Sequence, residues 1–219
     1  MVRILTQQYS IASHYLAELR DIQVQKDRLR FRRNLERMGE VMAYEISKML
    51  DYKPVDIETP LGIASTQLLV EQPVILTILR AGVPFHQGFL NVFDGADSGF
   101  IASYRHHKKS GAFEIEKQYS VLPDLNNRCV IIVDPMLATG SSLKTSCEDL
   151  LYEFNIKELH FASVIASEEG INFTKRNFPN AEIWVGDVDN ELTSKSYIVP
   201  GLGDAGDLAY GEKFKGNKS

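Results

Sequence analysis

Thiols are scarce in this chain: two cysteines, Cys129 and Cys147, stand in 219 residues. Neither has a second thiol near it in sequence, which excludes a disulfide framework and the paired spacing of a Cys/His zinc site. Cys129 falls in an apolar run and Cys147 on the inward stripe of a helical pattern, so both are expected to be buried structural thiols. No run of about 18 apolar residues occurs, so no membrane-spanning helix is expected. The opening MVRILTQQYS lacks the apolar segment and small-residue cleavage site of a signal peptide. A cytoplasmic protein with no membrane partner is the expectation. Basic charge is not in surplus either, with 24 Lys and Arg against 29 Asp and Glu and a net charge of −5. Proteins that bind polyphosphate backbones draw on clustered Lys and Arg, so nucleic acid is not an expected partner and any anion must be held locally. Lys26, Arg28, Arg30, Arg32 and Arg33 do cluster, and are read as the solvated face of a helix. Internal repeats and low-complexity segments are absent.

What is present is ordinary globular composition, 44% hydrophobic and 24% charged, in a length that suits one domain over residues 1–219. Over residues 28–50, Phe31, Leu35, Met38, Met42, Ile46 and Met49 recur at steps of three or four, one face of a long helix. A shorter helix is expected over 10–20. The prolines at 54 and 60 break that pattern and start extended chain. Short runs rich in β-branched residues follow at 74–79, 99–104, 130–133, 160–165 and 183–185, several apolar on consecutive residues as strands buried on both faces are. Between the third and fourth, Leu143, Cys147, Leu150, Leu151 and Phe154 give a helical stripe over 141–154. Strand, helix and strand at this spacing form a βαβ unit, hence a parallel sheet with a right-handed crossover. Residues 213–219 are polar and expected to fray.

The run CVIIVDPMLATGSSL is a buried strand ending in Asp134, then a small-residue turn, then that helix. It places Thr139, Gly140, Ser141 and Ser142 at a helix N-terminus, where free N–H groups and the helix dipole favour a phosphate. GxxxxGK[ST] is absent, so this is not a Walker A loop and a nucleotide triphosphatase is excluded. A Thr-Gly-Ser-Ser turn by itself reads first as an ordinary capped helix, since caps are common; the acid at the strand end changes that balance.

That arrangement resembles the 5-phosphoribosyl-1-diphosphate (PRPP) motif of type I phosphoribosyltransferases. Most of that family carry two acids at the strand end. Here Pro135 replaces the second, and VDPMLATG is similar to the uracil phosphoribosyltransferase branch. The resemblance extends through LRD at 19–21, AYE at 43–45, IETPLG at 57–62, ILRAG at 78–82, YR at 104–105 and YIVPGLGDAGD at 197–207. It implies an α/β fold of the type I phosphoribosyltransferase kind: a mainly parallel sheet flanked by helices, with N-terminal helices and a C-terminal base-binding hood. It implies conversion of uracil and PRPP to UMP and pyrophosphate in pyrimidine salvage. Arg80 and Arg105 would contact the pyrophosphate, as suits a fixed, always charged fork of donors. The PRPP site would comprise Asp134, Pro135, Met136, Leu137, Ala138, Thr139, Gly140, Ser141 and Ser142 with Asp204, and uracil would lie against Ile198, Gly203, Asp204 and Ala205. Arg80, Arg105 and Asp204 are the expected catalytic groups. Mg2+ is expected as cofactor, held mainly through PRPP oxygens rather than by direct protein ligation, with Asp204 or Asp134 in its outer shell; Asp134 alternatively holds ribose hydroxyls. Relatives form homodimers or larger assemblies, and a GTP effector is left open. The rivals are a phosphoribosyltransferase for another base, which predicts two acids before the loop, and a PRPP-binding, RNA-binding regulator of pyrimidine genes, which predicts a basic face.

GLGDAG at 201–206 also satisfies the dinucleotide pattern GxGxxG. The remaining chain is too short for a Rossmann helix, strand and acid about 20 positions on, so its glycines are expected to form a tight loop that brings backbone close to a small ligand. The pattern departs from the family at HHKKSGAFEIEKQYSVLP over 106–123, where relatives carry an acidic stretch in a mobile arm, at LRAGVPF, and at GDLAYG, where Leu208 lacks the usual charge. His106 and His107 are read as solvent-exposed, because adjacent histidines point apart on a strand and lack ligand-spaced partners.

Overall fold

The computed structural model describes residues 1–107 and 113–213, with residues 103–107 and 113–119 described by backbone alone. Strand β1 (Val2–Ile4) leads through a 3-10 turn into helix α1 (Ala12–Arg20), and a second such turn into α2 (Arg28–Ser47). Asp27 caps α2 by accepting the Arg30 N–H at 3.1 Å. Phe31, Asn34, Leu35, Met38, Met42 and Ile46 form its buried stripe, at the spacing expected. The helix stops at Ser47 rather than residue 50, because the Met49 and Leu50 N–H groups bond to Ile46 and Ser47 three residues back. Such tightened turns commonly end helices, and Met49 is left 51% exposed.

The prolines lead into a hairpin, β2 (Tyr52–Thr59) and β3 (Gly62–Leu69), which pair with each other in a two-stranded sheet of their own. Their register sets Ile57 opposite Ala64 and Lys53 opposite Leu68, so Val55, Ile57, Ala64 and Leu68 share one face. The main sheet follows: β4 (Val74–Ile78), α3 (Gly82–Val92), β5 (Asp97–His107), β6 (Phe113–Val121), β7 (Cys129–Val133), β8 (Met136–Leu137), α4 (Ser141–Glu153), β9 (Glu158–Ser167), α5 (Glu168–Asn177) and β10 (Glu182–Asp189). A short β11 (Glu191–Leu192) and β12 (Ile198–Val199) pair, and α6 (Ala205–Tyr210) ends the described chain. The sheet order is β1-β10-β9-β7-β4-β5-β6, with β8 also on β9. All neighbours are parallel except the antiparallel β5–β6 pair.

Alternation along each buried strand sends residues to two cores. Ile75, Ile131, Val133 and Val164 pack with α1, α2 and α3, whereas Val74, Leu76, Val130 and Ile132 pack with α4 and α5. Cys147 is buried in the second core, while Cys129 at the start of β7 is only partly buried. Leu151, expected on the inward stripe of α4, is 43% exposed, and Phe154 is the C-cap rather than a helical residue. The basic cluster is partly solvated, partly structural. Arg30 pairs with Glu18 of α1, Arg33 with Glu36, and Arg32 reaches the Ala209 carbonyl at 2.8 Å, tying α2 to the C-terminal segment. Among the described residues no helix is long and apolar enough to cross a membrane.

Candidate functional site

The chain leaves β4, crosses through α3 to β5 on one side, then returns to β7 on the other side of β4. Between the carboxyl ends of β4 and β7 the order reverses, and open parallel sheets bind ligands at such a point. The two loops that leave these strands are the ILRAG and DPMLATGSS segments.

After β4, the Leu79–Arg80 peptide bond is cis. A Cβ on Gly82 would lie 2.1 Å from Thr77 Oγ1 and 3.2 Å from the Val133 carbonyl. Glycine there lets the ILRAG loop sit directly on the end of β7. Arg80 is 40% exposed, and its Nη2 donates to Asp207 Oδ1 at 3.2 Å and to the Gly211 carbonyl at 3.5 Å.

The loop after β7 is fastened along β9. Asp134 N–H donates to Ala162 O at 3.1 Å, Pro135 O accepts from the Val164 and Ile165 N–H groups at 3.0 Å each, and Met136 and Leu137 pair with Ile165 and Ala166. Ser167 Oγ donates to Ala138 O at 2.5 Å, and Gly170 of α5 is so close that a Cβ would meet that carbonyl at 2.2 Å. Gly140 turns the chain into α4 at φ 78°, where a Cβ would lie 2.8 Å from Phe173. Among the described residues no side chain caps α4. Thr139 Oγ1 instead accepts the Ser141 N–H at 3.3 Å and donates to Ser141 Oγ at 3.1 Å. Helix geometry leaves the other first-turn N–H groups without an intrahelical carbonyl, and a cleft of ≈ 90 Å³ beside the turn is lined by Asp134, Thr139, Gly140 and Ser142 together with the apolar Ile132, Leu137, Leu143 and Phe161. Desolvation pushes the Asp134 carboxyl up to about 7, opposed by one donor, the Met136 N–H at 3.3 Å. Some of its surface still reaches solvent.

The third segment meets the ILRAG loop from the C-terminus through Arg80. Ile198 is buried on β12, the Val199–Pro200 bond is cis, and Gly201 and Gly203 take φ values of 59° and 92°. Asp204 caps α6 by accepting the Asp207 N–H at 3.0 Å, and Ala205 is buried at the first helical position. A Cβ on Gly206 would lie 3.2 Å from Asp204 Oδ1 and 3.7 Å from Arg80 Nη2. The glycine pattern is thus a tight loop before a six-residue helix, and Arg80, Asp204 and Asp207 stand together.

Of the residues singled out from sequence, Arg80, Asp134, Pro135, Met136, Leu137, Ala138, Thr139, Gly140, Ser141, Ser142, Ile198, Gly203, Asp204 and Ala205 all lie on these three segments. The backbone of Arg105 belongs to β5, at the register irregularity between Tyr104 and His106; its side chain, and those of His106 and His107, lie outside the described residues, as do residues 108–112. Sequence reasoning missed Ser167 and Gly170, which buttress the loop from α5. An Ser at the end of a β-branched run before Glu-Glu-Gly is a helix-cap signal, and Ser167 is indeed the α5 cap, accepting the Gly170 N–H at 2.9 Å.

A second cavity, ≈ 530 Å³, opens at the far end of the sheet between Met49, Leu151, His160 and Phe178. Near it Cys129, Glu158 and His160 offer ligand atoms within 4.8 Å of one another. Trp184 Nε1–H donates to His160 Nδ1 at 3.1 Å. Indole is a donor only, so the neutral imidazole carries its proton on Nε2, facing Glu158 Oε2 at 3.8 Å, and offers a cation no lone pair. Desolvation also pushes the Cys129 thiol up to about 12. With His160 engaged by Trp184 and the Cys129 thiol protonated, the trio as it stands does not present a ligand set for a metal.

A family profile described as "Uracil phosphoribosyltransferase" matches residues 6–212. A uracil phosphoribosyltransferase of Porphyromonas gingivalis is 48% identical over 208 residues, 94% of this chain and 96% of that protein. One from Pyrococcus furiosus is 41% identical over 203 residues, covering 91% and 86%. A solved structure of a protein from Aquifex aeolicus superposes with a TM-score of 0.83 at 31% identity, covering 96% of this chain and 98% of that one.

Proposed function

Because the chain belongs to the uracil phosphoribosyltransferase family, pentosyltransferases that convert uracil and PRPP to UMP and pyrophosphate, we propose a division of that reaction among its three loops. The observation that carries it is the meeting of Arg80 with Asp207 and Gly206 at the sheet's switch point, beside the loop of α4. The 5-phosphate sits in the Thr139–Gly140–Ser141–Ser142 turn, on first-turn N–H groups and hydroxyls. Asp134 holds ribose hydroxyls from below. Arg80, joined by Arg105, takes the diphosphate, and its pairing with Asp207 keeps the guanidinium aimed until the substrate arrives.

Uracil is neutral and alternates C=O and N–H groups, which main-chain groups at Ile198, Gly203 and Ala205 complement without charge. Cytosine reverses two of them and would leave buried groups unpaired, a penalty worth orders of magnitude in selectivity. Displacement at the anomeric carbon builds positive charge on the ribose as the diphosphate leaves; positioning the base nitrogen against that carbon and neutralising the diphosphate are the enzyme's main levers. The carboxylates of Asp134 and Asp204, on two of the three loops, are hard oxygen donors whose chemistry fits Mg2+. When bound with PRPP, Mg2+ would neutralise diphosphate charge, with Asp204 or Asp134 in its outer shell.

The enzyme is further proposed to work as a homodimer or higher homo-oligomer. Support comes from the β2–β3 hairpin, which pairs with no other described strand and exposes Ile57, Leu61, Ile63 and Leu68. Isolated two-stranded hairpins are marginal in water.

The deciding assay supplies PRPP and Mg2+ with uracil, cytosine, hypoxanthine or adenine in turn, with and without GTP, and measures nucleotide and pyrophosphate. UMP from uracil alone is the expected result, and turnover of another base without uracil would overturn the assignment. A change in rate with GTP would reveal an effector.

A further inference from the structure

The C-terminal loop is anchored by a cluster that no part of the proposed reaction uses. Arg20, the last residue of α1, forks onto Asp189 at the end of β10: Nη1 donates to Oδ2 at 2.8 Å and Nη2 to Oδ1 at 2.9 Å. The same guanidinium reaches Asp187 Oδ2 at 3.0 Å, and Thr6 Oγ1 donates to the other oxygen of Asp187 at 2.9 Å. Asp189 is 6% exposed, so its charge depends on this partner.

Both polar groups of Gly201 end in this cluster. Its N–H donates to Asp189 Oδ2 at 3.0 Å, and its carbonyl accepts from Arg20 Nη1 at 3.0 Å. Gly201 takes φ 59°, and a Cβ there would meet the Ile198 carbonyl at 2.1 Å. The pair therefore fixes one peptide from both sides at a position that tolerates no side chain. Gln25 lies beside the loop: its Nε2 donates to the Leu19 and Arg20 carbonyls at 3.2 Å each, while its Oε1 lies 4.0 Å from where a Gly203 Cβ would stand.

We infer that Arg20 and Asp189 are positioning residues for base recognition: they hold Gly201 so that the flanking main chain at Ile198 and Gly203 is presented to uracil in one conformation. The inference rests on the proposed placement of uracil at this loop. A base read by peptide groups depends on where those groups stand, because no charge compensates for a displaced one, whereas PRPP is held mainly by the ILRAG loop and the turn before α4, and its one proposed contact on this segment, Asp204, is fixed separately as the cap of α6. Loss of the clamp should therefore appear as weakened base binding rather than as a general loss of activity. Lysine at position 20 keeps the charge but lacks the planar fork, and cannot serve Asp189, Asp187 and Gly201 together.

The test is steady-state kinetics of Arg20→Lys and Asp189→Asn in the full-length protein, beside thermal unfolding. The expected result is a rise of about tenfold or more in KM for uracil with KM for PRPP changed less than about twofold, in variants that still unfold cooperatively. Asp189→Asn should behave like Arg20→Lys, since each breaks the same fork from one end. Equal changes in both KM values, a loss confined to kcat, or an unchanged KM for uracil would overturn the inference and leave the cluster as scaffold. Wild-type turnover with each base is the control: if the wild type uses another base, the uracil assignment fails, and the same comparison is made with that base.

Discussion

At the residue scale, Asp134 combines need and cost. It ends a buried strand, has one backbone donor, and has its carboxyl pushed up to about 7 by desolvation. A folded-state value above the unfolded one, about 3.9 for Asp, means that the native protein prefers the neutral acid. The contribution of this group to stability is then fullest below about 4, falls as pH rises towards 7, and is flat beyond, because only in that window does it hold different numbers of protons in the two states. Asp134→Asn removes the charge and keeps the shape. We expect the variant to melt above the wild type at pH 8 and level with it near pH 4, followed by calorimetry, while UMP formation at pH 8 falls at least about tenfold from loss of the ribose contact. A melting difference independent of pH would show that charge burial is not the cause. The acid was legible in the sequence as the residue that separates a phosphate loop from an ordinary cap. Its buttress was not: Ser167 and Gly170 meet Ala138 from 29 or more positions away, and no local pattern encodes that approach.

At the element scale, the sequence reveals structure where periodicity is clean and conceals it where glycine and proline interrupt. Helix α2 is legible from its stripe, and the βαβ unit around α4 from alternating element types. Helix α3 is not, because GVPFHQGFLNV carries two glycines and a proline and is apolar on nearly all sides. The glycines are there for packing. Gly88 of α3 lies against Gly39 of α2, where a Cβ on Gly88 would stand 2.0 Å from the Glu36 carbonyl and 2.8 Å from the Gly39 Cα. Backbone fills the space that side chains normally take between helices. Alanine is the better helix former by about 1 kcal/mol, yet Gly88→Ala must push two buried helices apart, and overpacking of this kind costs about 1–3 kcal/mol. Net destabilisation by urea unfolding is the expected outcome; a stabilised variant would mean that the helices separate at no cost. Since Gly82 begins the same helix and carries the ILRAG loop, the variant should also raise KM for PRPP.

At the scale of the whole molecule, the sheet explains why three distant segments share one site. Reversal of strand order between β4 and β7 brings the loops of Arg80 and Asp134 to the same edge of neighbouring strands although they are far apart in sequence, and Arg32 and Arg80 both hold the C-terminal segment. Motif order along the chain made this arrangement an expectation; motif content alone did not show that Arg20 would anchor the hood. The hairpin is the part that this architecture leaves unexplained, because it contributes nothing to the sheet. Its register gathers Val55, Ile57, Ala64 and Leu68 on one face, with Lys53 at the end away from the turn, and Asp56, Glu58, Ser65 and Gln67 on the other, with Ile63 beside the turn. If a second copy covers the apolar face, a charge there must be buried on assembly, whereas one on the polar face need not be. Ile57→Asp should therefore sediment at a lower mass than wild type, while Ser65→Asp should keep the wild-type mass at the same concentration. Equal masses for all three proteins would remove the hairpin from the interface, and a parallel loss of mass in both variants would mean that the hairpin fold, not its apolar face, holds the copies together.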